Sequence, residues 1–359
     1  MSAGGKVYDA AIVGGGPAGV SCAIWLARLG FEPILIEAAD AVGGLCRTNP
    51  FPDQWNAAQP GLTGPQIADN LALSLRQAGV PVLLSSRACG VESDGKDFAL
   101  RIEGKDEKIC ARHLVLATGV RARGLGSGLD DAASRVSAGG ARKSRSRENH
   151  SRAGSPPEGR SPAGRPPDGR PPEGILVGPG RHIVAQDFRG KKVAVLGGGD
   201  NAFENALYAL EHGAASLRLF ARSIRAQRQF VRKLAASHIH TGHYSVDPAK
   251  RAVDGQTYDL ILVFYGWEPC VRFAAELGLQ RSAQGFIATD METAQTSVPG
   301  VYAIGEVAQR QHPCVVTALA DGVTAAKAIQ ARIEAAAWAI SPRAIRIPQR
   351  RQYRLPNKP

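Results

Sequence analysis

Asp9-Ala10-Ala11-Ile12-Val13-Gly14-Gly15-Gly16-Pro17-Ala18-Gly19 decides how this chain is read. An apolar run of strand length, Ala10 to Val13, feeds straight into a glycine-rich turn. A helical stretch is expected from Pro17 to about Arg28, and a second apolar run, Pro33 to Ile36, ends at Glu37. Strand, G-x-G-x-x-G, helix, strand and acid in this order make a dinucleotide-binding unit. Gly14 permits the tight turn, and Gly16 lets a pyrophosphate reach the backbone at a helix N-terminus, where free N–H groups favour anions. Gly19 lets helix and strand pack closely, and Glu37 can accept hydrogen bonds from a ribose diol. Further on, Gly43-Gly44 would let the backbone pass close to the same cofactor.

The pattern recurs. Lys191 to Leu196 is a second strand, Gly197-Gly198-Gly199 a second turn, and a helix follows from about residue 201 to 211. Asp200 and Asn201 open that helix, and Ala202 stands where the third glycine would be, which the fingerprint allows. Two such turns on one chain point to two bound dinucleotides. After the second unit's next strand, Ser216 to Phe220, no acid follows; Arg222, Arg225 and Arg228 stand there instead. Basic residues at that place suit a ribose 2′-phosphate and so NADPH; a solvated basic turn is the plainer alternative.

The 359 residues lead us to expect two domains. No run of eighteen apolar residues is present, so no membrane-spanning helix is expected, and the N-terminus has no apolar leader. Six scattered cysteines, with no CxxC pair, suggest a reducing, cytoplasmic setting. The net charge of +12 raises the question of nucleic acid, but its location answers it. Residues 121–181 carry +6, residues 341–359 carry +6, and the rest balances 26 basic against 26 acidic residues. No ordered basic face with interleaved aromatics appears, so no specific nucleic-acid partner is expected.

Residues 49–65 read as a Pro/Gly-rich loop, 66–78 as an amphipathic helix, and 80–85, 87–92, 97–103 and 108–111 as strands. His113 to Gly119 reads as a separate buried strand ending in a turn. The following stretch, rich in Arg, Ser, Gly and Pro, contains an imperfect repeat from Pro156. It cannot bury enough apolar surface to offset ordering entropy, so residues 121–182 are expected to be a disordered insertion. His238 and His240 would share one face of a strand, but no nearby cysteine or carboxylate completes a ligand set, and no metal is expected. Residues 314–334 read as a helix, and 336–359 as a loose basic tail.

These motifs, together with the Pro60-Gly61…Gly64 loop, Ala117-Thr118-Gly119 and Gly300-Val301-Tyr302-Ala303-Ile304-Gly305-Glu306, resemble the thioredoxin reductase-like flavoproteins. That group includes the ferredoxin/flavodoxin–NADP reductases of the same plan. The resemblance implies an α/β fold of two Rossmann-like domains (three-layer ββα), with the NAD(P)H domain, 183–286, inserted into an FAD domain formed by 1–120 and 287–335. It implies a homodimer. It places FAD at Gly14, Gly16, Pro17, Ala18, Gly19, Glu37, Gly43, Gly44, Leu45, Thr118, Gly119, Gly305 and Glu306, with Cys314 and Val315 opening a helix that faces the flavin. It places NAD(P)H at Gly197, Gly199, Asp200, Asn201, Ala202, Arg222 and Arg225. Glu306 stands where such proteins carry an aspartate, one methylene shorter.

One departure narrows the chemistry that the resemblance implies. Thioredoxin reductases carry CxxC in the nicotinamide domain; residues 120–196 here contain no cysteine. Cys46, after Gly43-Gly44-Leu45, matches the first redox cysteine of glutathione reductase-like relatives, but the partner position, 51, is Phe. Cys46 therefore stands as a weak catalytic candidate. The expected reaction is hydride transfer from NADPH, or NADH, to flavin N5, then electron delivery to a carrier such as ferredoxin or flavodoxin, or to a small-molecule acceptor. A thiol/disulfide reductase or a flavin monooxygenase is one alternative, although no FxGxxxH pattern is present. A non-catalytic or defective flavin-binding protein is another.

Overall fold

Short apolar runs become the strands and longer amphipathic ones the helices in a computed structural model that describes residues 6–125 and 171–340. In chain order the elements are β1 (Val7–Val13), α1 (Pro17–Arg28), β2 (Pro33–Ile36), α2 (Gly64–Gln77), β3 (Val82–Leu83), β4 (Ala88–Ser93), β5 (Phe98–Ile102) and β6 (Ile109–Leu116). They continue with β7 (Val120–Ala122), β8 (Ile175–Val177), β9 (Lys192–Leu196), α3 (Asp200–Glu211), β10 (Ser216–Ala221) and β11 (Ile239–Thr241). The last are β12 (Val246–Asp247), β13 (Ala252–Val253), β14 (Gln256–Thr257), β15 (Leu260–Val263), β16 (Trp267–Pro269), β17 (Val301–Ala303) and α4 (Val315–Ile340).

The chain divides into two units. Within the described residues, one holds 6–47, Pro52–Gly119 and 269–340; the other holds Thr48–Phe51, 120–125 and 171–268. In the first, β3-β2-β1-β6 form a parallel sheet, and β6 is shared. Its first half pairs antiparallel with β5, and its second half, Leu114–Leu116, pairs parallel with β17. The strand centres are apolar on both faces because both faces are covered. On one side α1 and α4 pack on Ile12, Leu35, Val115 and Tyr302; on the other, Leu100, Leu114, Leu116 and Ala303 form a second core. The hydroxyl of Ser21 donates to the Leu319 carbonyl at 2.7 Å, tying the two helices.

The second unit is a five-stranded parallel sheet, β11-β10-β9-β15-β8, with α3 on one face. The antiparallel meander β12-β13-β14 supplies Val246 and Val253 to the opposite core. β7 and β16 form a separate two-stranded ribbon. The first unit's sheet is thus parallel through β3, β2, β1, β6 and β17 with β5 and β4 added antiparallel, the second unit's sheet is parallel throughout, and the whole is the mixed α/β class expected from the motifs.

Several expected boundaries are corrected. Order does not wait until 183: Ile175–Val177 pairs in register with Ile261–Val263, because this apolar triplet follows the turn at Gly174 and completes the sheet edge. Residues 121–122 are likewise in a strand. The remainder of the expected insertion, 126–170, lies outside the described residues. Residues 269–286 belong with the first unit, since Val271 and Ala274 are buried in its second core. The expected strands 108–111 and 113–119 are one strand, Ile109–Leu116. The final helix runs on to Ile340, past the expected start of the tail at 336, because the Ala-rich run 331–338 has no helix breaker; residues 341–359 lie outside the described residues.

Candidate functional site

The first glycine turn leaves β1 at Val13. Gly14 has φ +109°, and an added Cβ would meet the Ala117 carbonyl oxygen at 2.3 Å, so only glycine fits. An added Cβ at Gly19 would lie 2.0 Å from the Gly14 carbonyl oxygen; α1 lies directly against the turn. Gly16 differs from both. Its backbone is extended (φ −71°, ψ 180°), and its Cβ direction meets nothing within 4 Å. It caps α1 without any side-chain hydrogen bond, and Pro17 occupies the first turn, where its fixed φ suits the helix. The first N–H groups of α1 therefore stand beside open space, an anion cradle.

Two segments wall this cradle. Gly43 N–H donates to the Gly15 carbonyl at 2.7 Å, and an added Cβ at Gly44 would lie 3.2 Å from Gly16 Cα, so the Gly43–Gly44 bend rides on the turn. Leu45 follows in the single 3₁₀ turn Gly44–Thr48. Glu37, half-buried, accepts from Gly15 N–H at 2.6 Å and from Ala39 N–H at 2.8 Å. Each carboxylate oxygen keeps a second acceptor site, so the acid can brace the turn and still receive a hydroxyl.

At the carboxyl end of β6, Thr118 and Gly119 form a turn in which the Thr118 hydroxyl is buried with no partner among the described residues. A buried hydroxyl costs free energy unless something bonds it, so this orphan beside an open cradle fits a polar ligand such as FAD. The Gly305–Val307 turn stands at the end of β17. Burial raises the Glu306 carboxyl above its ordinary range. Burial, the Glu306 and Asp53 charges push the Cys46 thiol up to about 11. Cys314, exposed, immediately precedes α4; its sulfur accepts from the Thr317 N–H at 3.5 Å, and Val315 begins the helix.

In the second unit the same construction recurs. Gly197 has φ +138°, and its Cβ would meet the Phe264 carbonyl oxygen at 2.4 Å, whereas the Cβ direction of Gly199 meets nothing within 4 Å. Gly199 caps α3 without a side-chain bond. Asp200, in the first turn, is held by both oxygens: Oδ1 accepts from Gln227 N–H at 2.7 Å, and Oδ2 from Gln227 Nε2 at 2.9 Å. Asn201 is half-buried and its carbonyl accepts from Asn205 Nδ2 at 2.7 Å; Ala202 is fully buried. Arg222 and Arg225 are exposed past the end of β10, and the Arg225 N–H donates to Gly198 O at 2.7 Å, which fixes the backbone of the basic turn on the glycine turn. His238 Nδ1 lies 2.9 Å from Leu217 O, a structural bond.

The structure thus brings Glu37, Gly43, Gly44 and Gly305 against the first glycine turn and the Arg225 main chain against the second, while Cys314 shares a small cavity with Gly305 and Glu306. Sequence reasoning missed Arg310 and Asp321. Asp321 left one signal, the single charged residue of the helix from Val315 to Ala326; Arg310 left none. The raised Cys46 pKa leads to a first prediction. At pH 8 about one part in a thousand of it is thiolate, which is the reactive form. Mass mapping after brief iodoacetamide treatment of the native protein is expected to find Cys314 labelled and Cys46 unlabelled; rapid labelling of Cys46 would contradict the buried thiol.

A parallel sheet with a glycine turn, an open helix N-terminus and an acid at the next strand defines a dinucleotide-dependent enzyme class. The comparisons place the chain within it: residues 8–322 match the family model described as pyridine nucleotide-disulphide oxidoreductase, and the chain belongs to that family of NAD(P)H-dependent flavoprotein oxidoreductases. It is 28% identical to the ferredoxin–NADP reductase of Granulibacter bethesdensis, covering 84% of this chain and 81% of that protein. It is 27% identical to thioredoxin reductase 1, mitochondrial, of Arabidopsis thaliana, covering 88% and 81%. In fold it resembles the thioredoxin reductase of Lactococcus lactis (TM-score 0.67, 22% identity, 91% of this chain and 99% of that one). It also resembles the bacillithiol disulfide reductase of Bacillus cereus (TM-score 0.68, 16% identity, 91% and 100%). No helix among the described residues is long and apolar enough to cross a membrane.

Proposed function

We propose that the chain is an FAD-dependent NADPH oxidoreductase that passes electrons directly from flavin to an acceptor, best matched by a one-electron carrier such as ferredoxin or flavodoxin. The observation that carries this is the absence of any cysteine from residue 111 to residue 269, a span that includes the whole NADPH-side glycine turn. No dithiol can form there to relay electrons. When bound, FAD supplies the chemistry by taking two electrons from the nicotinamide and releasing them singly or in pairs. The protein binds and orients. Gly16 and the α1 N-terminus receive the diphosphate, Glu37 a ribose, and Gly43, Gly44 and Leu45 border the cofactor. Thr118, Gly119, Gly305 and Glu306 receive its polar chain, with Cys314 and Val315 at the flavin end. In the second unit Gly197, Gly199, Asp200, Asn201 and Ala202 receive the nicotinamide dinucleotide, and Arg222 and Arg225 its 2′-phosphate.

A homodimer acting in the cytoplasm completes the proposal. The test is anaerobic titration of the purified holoenzyme with NADPH, followed by an acceptor screen. Bleaching of the flavin band followed by reduction of ferredoxin or flavodoxin supports the reading; a flavin that NADPH does not bleach sinks it. Thiol chemistry is tested separately. Cys46→Ser is expected to leave turnover within about twofold, because a thiol of pKa about 11 supplies almost no thiolate at neutral pH. A loss of activity in that variant would favour the disulfide-reductase alternative.

A further inference from the structure

The Arg310–Asp321 pair is buried more deeply than any other ion pair among the described residues, with side chains 3% and 7% exposed and Nη1 2.6 Å from Oδ1. As a device for stability it is a poor choice, since desolvating two charges offsets most of what their attraction returns. Its other bonds show a different use. Asp321 Oδ2 accepts from the Gly305 N–H at 3.0 Å, so α4 holds the turn that carries Glu306. Arg310 Nη2 donates to the Met291 and Asp290 carbonyls, which anchors the guanidinium to a third segment. Arg310 Nε is buried and has no acceptor among the described residues. Arg310 and Asp321 line the same small cavity as Glu306, Cys314 and Thr317.

We propose that Arg310 and Asp321 are a charge-balanced positioning pair for the flavin: Asp321 fixes the Gly305–Glu306 turn against α4, and Arg310 keeps its Nε–H for an acceptor in the cavity. The proposal rests on the reading that this cavity adjoins bound FAD. A carboxylate paired with a guanidinium at that distance presents little net charge to its neighbours. Removing only the carboxylate exposes the cation to the flavin, and a positive charge favours the reduced form, which is the more negative one.

The test measures the two-electron midpoint potential of protein-bound flavin by dye equilibration, with the melting temperature of the flavin-free chain beside it. Asp321→Asn, nearly the same in shape, is expected to shift the equilibrium toward reduced flavin by about tenfold, or about 30 mV. The double variant Arg310→Gln/Asp321→Asn, which removes more of the network, is expected to return to within about threefold of wild type. A merely structural role predicts the reverse order, with the double variant at least as displaced as the single, and that result overturns the proposal. If Asp321→Asn does not accumulate, Arg310→Gln and the double variant decide: Arg310→Gln must lie negative of the double, and equal potentials overturn the proposal. A wild-type protein that takes up no flavin overturns the FAD reading itself, while bound flavin with unmoved potentials overturns only this inference.

Discussion

Gly16→Val is expected to yield a chain that folds as the parent does and no longer retains FAD. The backbone there is extended and open to any residue, and the Cβ direction meets no protein atom within 4 Å. Stability should therefore fall by no more than about 1 kcal/mol, the difference between a glycine and a branched residue at a helix cap. The loss falls on the ligand. A branched side chain occupies the space in front of the first N–H groups of α1, and displacing a diphosphate from them by about 3 kcal/mol lowers affinity more than a hundredfold. Gly19→Val is the contrasting control. Its Cβ would lie 2.0 Å from the Gly14 carbonyl oxygen, so the helix must move off the turn, and both fold and flavin should be lost. Flavin-to-protein absorbance ratio and melting by circular dichroism read the two effects apart. Full flavin content in Gly16→Val would show that the cofactor's phosphates lie elsewhere.

That contrast also shows which parts of the site could be read from the chain and which could not. Gly14 and Gly19 were legible because local geometry demands them, a positive φ and a close helix, and Gly16 and Glu37 because the spacing of the glycine turn and the end of β2 marks their places. In the second unit Gly197 is legible in the first way, and Gly199 and Ala202 in the second. Strand positions were legible for a similar reason, since β1, β6, β9 and β15 are short apolar runs buried on both faces. The merging of 108–111 with 113–119 was not, because Arg112 interrupts the apolar pattern while β6 continues, its guanidinium bonded to Asp9 at 2.9 Å across the strand pair. Ile175–Val177 was hidden by the low-complexity sequence before it; only its partner β15, more than eighty residues later, makes it a strand. Arg310 is the clearest case. Its partners come from two separate places in the chain, Asp290-Met291 on one side and Asp321 on the other, and no periodicity records such a meeting.

The second large effect is expected in the choice of nicotinamide cofactor. Replacing Arg222 and Arg225 together by alanine should raise the KM for NADPH about a hundredfold and leave kcat/KM for NADH within about threefold. Each charge-assisted bond to a phosphate contributes roughly 1.5–3 kcal/mol, and two at one phosphate add to less than their sum. NADH, which lacks the 2′-phosphate, has nothing to lose. The change should leave the fold intact: both side chains are exposed, and the Arg225 bond to Gly198 O is made by the main chain, which alanine retains. Because the site is open to solvent, the discrimination should also weaken as ionic strength rises, by screening over about 8 Å at physiological salt. The pattern of failure is informative. An equal loss with both cofactors would mean that the arginines hold the glycine turn and not the phosphate. No loss with either would return them to the plainer role of a solvated basic turn, and Asp200, an anion held in place by Gln227, could not supply a preference for a 2′-phosphate. The selectivity would then have to come from outside the Gly197–Gly199 turn.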